Sequence, residues 1–240
     1  MNHGTRLGIA RDIVRGKLLN QRALLLRYRR RRGGPDLDSA ISAIGKYLQK
    51  LDALGDVESL LGVEGYGSAL YYRAFRTLLT RDTGFVARVR RPPTDPVNSL
   101  LSFGYTLLTY GMQAAVHTVG LDPFIGFLHA AKYSRPSLVL DLIEQFRGVV
   151  VDSLVLGAVN TGAITDADFE PPSALTRGVF LTQDGMKKFI DAYEGRMHGK
   201  VLHPVDGVKV TYRRALELQA RHMARVILGQ EARYRSFAVR

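Results

Sequence analysis

The feature that most constrains the fold is a segment without a formally charged side chain, residues 96–121. It is long enough to span a bilayer as a helix. Polar side chains recur through it, however, and no basic flank follows it. These polar residues are Asn98, Ser99, Ser102, Thr106, Thr109, Gln113, His117 and Thr118. Because Asp95 and Pro96 form a typical helix start, the segment predicts a buried central helix rather than a membrane span.

The remaining chain shows mainly the 3.6-residue periodicity of amphipathic helices. The first predicted helix covers 5–31 and is stopped by Gly33-Gly34-Pro35. Asp36 or Asp38 is expected to cap the second helix. That helix should run to about Leu54. A further helix is predicted from Pro136 to about 159, with Ser134 as its cap. The other predicted helices cover 57–79, 185–197 and 212–232. Residues 160–182 are predicted to form a loop with a short extended piece at 179–181, and 203–207 a turn within a small hairpin.

These elements predict an all-α fold, a helical bundle with one small extended piece near 179–181. A hydrophobic content of 46% and a charged content of 23% are those of a folded soluble protein. We expect an α-helical domain over 34–240, preceded by an arginine-rich linker and first helix over 1–33. The polar N-terminus predicts no signal peptide, which favours the cytoplasm.

The charge balance points to a polyanionic partner. The chain has 34 basic and 22 acidic residues, a net charge of +12. Most of the basic residues are arginines, whose planar fork suits phosphate. The alternative is a basic protein without a specific polyanion. The absence of cysteine excludes disulfides, thiolate zinc sites and a cysteine nucleophile.

Titratable residues in apolar surroundings are candidates for function, because burying an unpaired carboxylate is costly. Glu64 lies among leucines and glycines in residues 60–70, and His129 follows the apolar residues 124–128. Each also has an ordinary structural interpretation. Glu64 would pair with a neighbouring arginine, and His129 would be a hydrogen-bonded core histidine.

A second acidic pair lies in the apolar run 138–146. Asp141 and Glu144 are three residues apart, so a helix places both on one face. In the structural interpretation Arg147 pairs with Glu144 and Arg135 with Asp141. Together with Glu64 and His129, these acids would instead form an oxygen-rich site for a hard divalent cation, Mg²⁺ or Mn²⁺ rather than Zn²⁺. Beside a basic surface, such a site indicates metal-dependent phosphodiester chemistry.

At these residues the chain resembles the CRISPR-associated integrase family, the Cas-one subunit that inserts new spacers during adaptation and also acts as an endonuclease. Six segments carry the resemblance over nearly the whole chain. They are ARDIVRGKL at 10–18, VEG at 63–65 with Ala69 and Tyr72, DPVN at 95–98 with LLS at 100–102 and Tyr105, GLDPFIGFLH at 120–129, SLVLDLIEQFR at 137–147 and YRSF at 234–237.

The resemblance implies a helical catalytic domain that binds one Mg²⁺ or Mn²⁺ ion through Glu64, His129 and Glu144. It makes Asp141 a catalytic neighbour that ligates through water or orients the site. The implied reaction is the attack of a spacer 3′-hydroxyl on a phosphodiester of the CRISPR repeat. The DNA-binding residues expected from the resemblance and from the basic first helix and loop are Lys132, Tyr110, Arg22, Arg29 and Arg135.

The resemblance also implies partners. These are double-stranded DNA, as spacer donor and as repeat, and a small companion adaptation protein. Family members normally begin with a β-rich domain that supplies most of the homodimer contact, whereas this sequence starts at the first helix of the catalytic domain. Homodimer formation by this chain alone is therefore not expected.

Two other functions remain open at the level of sequence. One is a related integrase of a mobile element, with the same site and a different target DNA. The other is a non-catalytic DNA-binding scaffold subunit, which we would expect to lack one of the three ligands. Gene neighbourhood separates the first from a CRISPR integrase, and a metal-dependent assay separates the second.

Overall fold

Eight α-helices and one hairpin make up the part of the chain that this computed structural model describes, residues 3–30, 33–130, 132–170 and 177–239. The helices are α1 (His3–Arg29), α2 (Pro35–Lys50), α3 (Val57–Thr77), α4 (Pro96–Val119), α5 (Ser137–Phe146), α6 (Ser153–Thr161), α7 (Gln183–His198) and α8 (Tyr212–Ile227). The strands are β1 (Lys200–Leu202) and β2 (Lys209–Thr211). The predicted all-α class is confirmed.

Helix α4 is the central helix that the uncharged segment predicted. At its start, Asp95 Oδ1 accepts the backbone N–H of Asn98 at 2.8 Å. At its end, Gly120 adopts a left-handed conformation with φ of 79°, which favours glycine. The helix packs against α5, α6 and α8. Among the described helices, none combines the length and the hydropathy needed to cross a bilayer.

Helix α1 forms one wall of the core. Its apolar stripe, which includes Ile13, Leu18 and Leu25, is completely buried, and the helix packs on α2, α3 and α5. The proposed division into 1–33 and 34–240 remains a prediction. What matters for the site is that α1 packs against both α3 and α5, two helices from separate parts of the chain.

The segment after α5 differs from the sequence prediction. Instead of one helix to residue 159, a π-helical stretch, Arg147–Asp152, separates α5 from α6. The wider turn changes the direction of the side chains that follow it. The predicted Ser134 cap is wrong, because Ser134 has a left-handed φ of 56° and Pro136 occupies the cap position. A cap by Asp36 or Asp38 is also wrong, since Gly34 holds that position in α2.

The C-terminal part contains the predicted small hairpin, in which β1 and β2 pair antiparallel with Val201 opposite Val210. The extended piece at 179–181 forms a single bridge, between Phe169 and Leu181. Residues 171–176 of the predicted loop lie outside the described residues. Helix α8 ends at Ile227, short of the predicted residue 232, and the following tail returns to the core through buried Tyr234 and Phe237.

Candidate active site

Two of the predicted ligands meet where α1, α3 and α5 converge. Glu64 of α3 and Glu144 of α5 both form ion pairs with the ammonium group of Lys17 on α1. The distance from Lys17 Nζ to Glu144 Oε2 is 2.7 Å. Glu64 also accepts a hydrogen bond from Ser68 Oγ at 3.2 Å. The arginine partner considered for Glu64 is therefore a lysine from a distant part of the sequence.

Glu144 is held between two positive groups. Its other oxygen, Oε1, lies 3.2 Å from Arg147 Nε, the pairing that the i,i+3 spacing predicted. Burial raises the pKa of this carboxyl group, but Arg147 and Lys17 outweigh burial and hold the pKa well below its usual range. The side chain, only 5% exposed, is therefore a carboxylate at neutral pH. A buried anion that already binds cations in this way is suited to a metal ion.

His129, in the loop before α5, and Asp141, on α5, form a second pair. Asp141 is fully buried, and its Oδ1 lies 2.6 Å from His129 Nδ1. The two carboxylate oxygens also accept three successive backbone N–H groups, those of residues 127–129, at 2.6, 2.9 and 3.0 Å. Arg135 does not pair with Asp141 as the sequence suggested, because the backbone of the loop takes that place. The arrangement fixes the imidazole ring through Nδ1 and leaves the side chain 20% exposed.

Gly126 allows this loop to close on α5. A Cβ atom there would lie 2.7 Å from His129 O, 2.7 Å from Ser137 Cβ and 3.0 Å from Asp141 Oδ2. A side chain would therefore push the loop away from the carboxylate.

Within the described residues, no three histidine, aspartate or glutamate side chains lie together as a ready metal-binding group. The structure brings Glu64 to Glu144 and His129 to Asp141, and His129 lies near enough to Glu144 to lower its pKa. Lys17 stands between the two glutamates. The donor set of two carboxylates and one imidazole fits a hard divalent cation, and the buried Glu144 Oε2 makes no hydrogen bond with good geometry. The residue types therefore fit such an ion, and Lys17 Nζ occupies the space between the two carboxylates.

A polar cluster that the sequence analysis missed lines the same cavity as Glu144. Asp152, at the end of the π-helical stretch, accepts hydrogen bonds from the hydroxyl groups of Tyr71, at 2.8 Å, and Tyr105. Burial raises the pKa of Asp152 to about 6. The guanidinium of Arg147 lies 4.5 Å from the centre of the Tyr105 ring. Asp152 follows Val149-Val150-Val151. It is therefore an acidic residue in apolar surroundings, the criterion that identified Glu64.

A cavity connects this cluster with Glu144. Four basic residues outnumber two acidic ones in its lining, which consists of Lys17, Gln21, Ser68, Tyr72, Arg88, Arg90, Tyr105, Glu144, Arg147, Gly148 and Asp152. Arg88 is fixed there by hydrogen bonds to Asn98 Oδ1 at 2.9 Å and Ser102 Oγ at 3.0 Å.

The predicted DNA-binding residues lie in different surroundings. Lys132 is exposed, and Tyr110 is 66% exposed on α4. Arg135 is half-buried in the loop after His129. Arg22 donates to the backbone carbonyl of Ile41, and Arg29 pairs with Asp38 at 2.6 Å, so both contact α2.

Comparison with known proteins finds relatives in sequence and in structure. A family model described as "CRISPR associated protein Cas1" matches residues 1–195. The "CRISPR-associated endonuclease Cas1 3" of Thermus thermophilus is 40% identical over 98% of this chain and 68% of its own length. Among solved structures, a "Casposase bound to integration product" superposes with a TM-score of 0.84 and 26% identity, over 98% of this chain and 64% of that one. A "Partial Cas6-RT-Cas1--Cas2 complex" gives a TM-score of 0.85 and 26% identity, over 98% of this chain and 69% of that chain. This chain thus spans about two thirds of the length of these proteins.

Proposed function

Because the chain belongs to the Cas1 family of CRISPR-associated proteins, we propose that it is the catalytic part of a DNA integrase of CRISPR adaptation, with endonuclease activity when water replaces the attacking hydroxyl. One observation carries the proposal. Glu64 and Glu144, from helices far apart in sequence, converge on a single positive charge, and the His129–Asp141 pair lies on the same side of α5.

Glu64, Glu144 and His129 Nε2 are the groups that would hold a Mg²⁺ or Mn²⁺ ion. When bound, such an ion polarises a phosphoryl oxygen and stabilises negative charge on the entering or leaving oxygen. Asp141 acts on His129 rather than as a ligand, because both of its oxygens already accept hydrogen bonds from the loop. It keeps a proton on Nδ1 and so directs the unprotonated Nε2 outward.

In the proposed reaction, the 3′-hydroxyl of a spacer duplex attacks a phosphodiester of the repeat in line, and a 3′-hydroxyl of the repeat leaves. The basic cavity beside Glu144 would take a phosphate group next to the one that reacts. Arg88 is suited to that task, since its guanidinium is held in place by Asn98 and Ser102.

Contacts outside the cavity would position the two DNA duplexes. Lys132 and Arg135 lie in the loop that carries His129, and Tyr110 offers an exposed ring on α4. Arg22 and Arg29 would add contacts along α1 in exchange for their present contacts with α2. If these residues bind phosphates, each contact removed should reduce the slope of log K for DNA binding against log salt concentration by about 0.9 in magnitude.

The proposed partners follow from the relatives. Similarity to a Cas1–Cas2 complex supports a small companion adaptation protein, and similarity to a casposase–DNA product supports double-stranded DNA. We place the reaction in the cytoplasm. Homodimer formation, which the resemblance implies for the family, is also part of the proposal.

A second candidate is an integrase of a mobile element. The casposase superposes about as well as the Cas1 complex, with TM-scores of 0.84 and 0.85. Both candidates use the same residues and differ only in the target DNA. The two candidates can be distinguished by offering a CRISPR repeat and a random duplex of equal length together. A CRISPR integrase should join the spacer to the repeat, whereas an integrase with a different target should not prefer the repeat.

The test of the proposed function is a strand-transfer assay with a labelled spacer duplex, a repeat-containing target and either Mg²⁺ or Mn²⁺, with and without the companion protein. We expect a covalently joined product that requires metal and the 3′-hydroxyl. A donor that ends in a dideoxynucleotide is the matched control and should give none. Absence of joined product and of nicking with both metals would refute the proposal.

A further inference from the structure

Lys17 is the least expected residue of the site. Its side chain is 8% exposed and lies inside the convergence of α1, α3 and α5. Lysine is almost never fully buried unless it is paired, because an ammonium ion loses its hydration there. Here the pairing is with Glu64 and Glu144.

A metal ion at Glu144 would compete with positive groups that are already there. Glu144 Oε2 faces Lys17 at 2.7 Å and Oε1 faces Arg147 at 3.2 Å. Both oxygens of this buried carboxylate are therefore next to a positive group. A divalent cation placed between Glu64 and Glu144 would meet the ammonium group of Lys17, which already lies within ion-pair distance of both carboxylates.

Of the two groups, the geometry favours Lys17 as the one that a metal ion displaces. The Arg147 guanidinium lies over the Tyr105 ring, which holds it by a cation–π contact in addition to its ion pair. Lys17 has a flexible four-carbon stem, and its charge is a point charge without a preferred plane. The ammonium group can therefore swing while the backbone of α1 stays in place.

The structure also contains a second anion for the displaced ammonium group. Lys17 and Asp152 line the same cavity, and against the burial that raises the pKa of Asp152, the charges of Arg147 and Lys17 act to lower it. Asp152 receives two tyrosine hydroxyl groups and no cation at ion-pair distance among the described residues. A lysine that leaves the glutamates can thus turn toward a carboxylate that lines the same cavity.

We propose that Lys17 is an internal counter-cation of Glu64 and Glu144, which gives way to a divalent metal ion by turning toward Asp152. The inference rests on the proposed metal ligands and adds a residue that tunes their affinity. Lys17 balances the two carboxylates when no metal is bound, and it competes with the metal for them.

The test is calorimetric titration of the folded chain with Mn²⁺. Lys17→Met removes the competing charge and should bind Mn²⁺ at least tenfold more tightly than the wild type. Lys46→Met, which removes the same charge from an exposed position on α2, is the matched control and should leave the affinity unchanged. If the methionine variant does not fold, Lys17→Gln, which keeps polar contacts, should show the same gain.

A second arm tests the route of Lys17. Asp152→Asn removes the proposed acceptor and should weaken Mn²⁺ binding several-fold in the wild-type background but have no such effect in Lys17→Met. Equal or weaker binding by folded Lys17→Met or Lys17→Gln would overturn the proposal. If Lys17→Met shows no gain in affinity but His129→Ala abolishes Mn²⁺ binding, only the role of Lys17 is overturned and the proposed metal ligands stand. No Mn²⁺ binding by either wild type or Lys17→Met would overturn both.

Discussion

Two regions of this molecule pair histidines with carboxylates, and they differ in what surrounds the pairs. In the candidate active site, His129 contacts Asp141 and is 20% exposed at its side chain. In the C-terminal region, His203 lies 2.8 Å from Asp206 and His222 lies 3.0 Å from Glu231, and both imidazoles are fully buried. The residue types are the same, but a substrate can approach only the first pair.

The second region is occupied by the chain itself. His222 Nε2 accepts the backbone N–H of Arg235 at 2.8 Å and its ring stacks on Tyr234, so the histidine fastens the C-terminal tail. Arg225 joins the two carboxylates, at 2.5 Å to Glu231 and 3.5 Å to Asp206. A histidine–carboxylate pair therefore indicates a functional site only when a donor atom remains free and reachable.

The largest expected effect is on catalysis. Glu144→Gln keeps the shape of the side chain and removes its charge, so strand transfer should fall by about 100-fold or more. Glu231→Gln makes the same change in the second region. Because Glu231 contacts His222 and Arg225 and not the candidate site, strand transfer per folded molecule should stay within about threefold of wild type. Similar losses in both variants would show that the two regions are not functionally distinct.

The two histidines should give opposite results. His129→Ala is expected to abolish strand transfer and change the free energy of unfolding little, since its side chain is partly exposed. His222→Ala leaves a buried N–H without its acceptor and should lower the free energy of unfolding by about 2–4 kcal/mol. Denaturant unfolding and strand transfer by the folded protein measure both quantities. A stable, inactive His222→Ala would break the comparison.

Asp141→Asn should have an intermediate effect. The amide keeps one oxygen acceptor, but its NH₂ group then faces the N–H donors that the second oxygen accepted. We expect a loss of strand transfer of about 10–100-fold, larger than the loss of Mn²⁺ affinity, because the residue orients His129. A loss of affinity as large as that in Glu144→Ala would instead make Asp141 a direct ligand.

The smallest effect concerns pH and the second region. Burial lowers the pKa of His203 and of His222, against the opposing influence of Asp206 and Glu231. The unfolded chain therefore binds more protons below about pH 6.5, and these groups make the fold less stable as the pH falls through that range. The difference in unfolding free energy between wild type and His222→Gln should shrink from pH 7.5 to 5.5, by at most about 1.4 kcal/mol per pH unit. A constant difference would contradict this assignment.

The sequence predicts the long elements well because their signals are local. Asp95-Pro96 and Gly120 mark the ends of α4, and the turn at 203–207 marks the hairpin. The π-helical stretch at 147–152 is not predictable in this way, since it depends on how α5 packs between α1 and α4. The Ser134 cap fails for a similar reason, because the loop is shaped by its hydrogen bonds to Asp141 rather than by the helix that follows.

For the site, the sequence identifies acids in apolar surroundings but not their partners. Lys17 falls four residues after Ile13 on the buried stripe of α1, which is a visible signal once a buried lysine is sought. Its contact with Glu64 and Glu144 depends on the meeting of three helices and has no local signature. Arg147 is predictable as the partner of Glu144 because the i,i+3 spacing is local.

The most direct test of the central claim is the location of a divalent ion in a crystal of this chain soaked with Mn²⁺, read from anomalous scattering. The account predicts a peak bound by Glu64, Glu144 and His129, with Lys17 turned toward Asp152. A peak among His203, Asp206, His222 and Glu231 and none at Glu144, or no bound ion in a crystal of active protein, would contradict it.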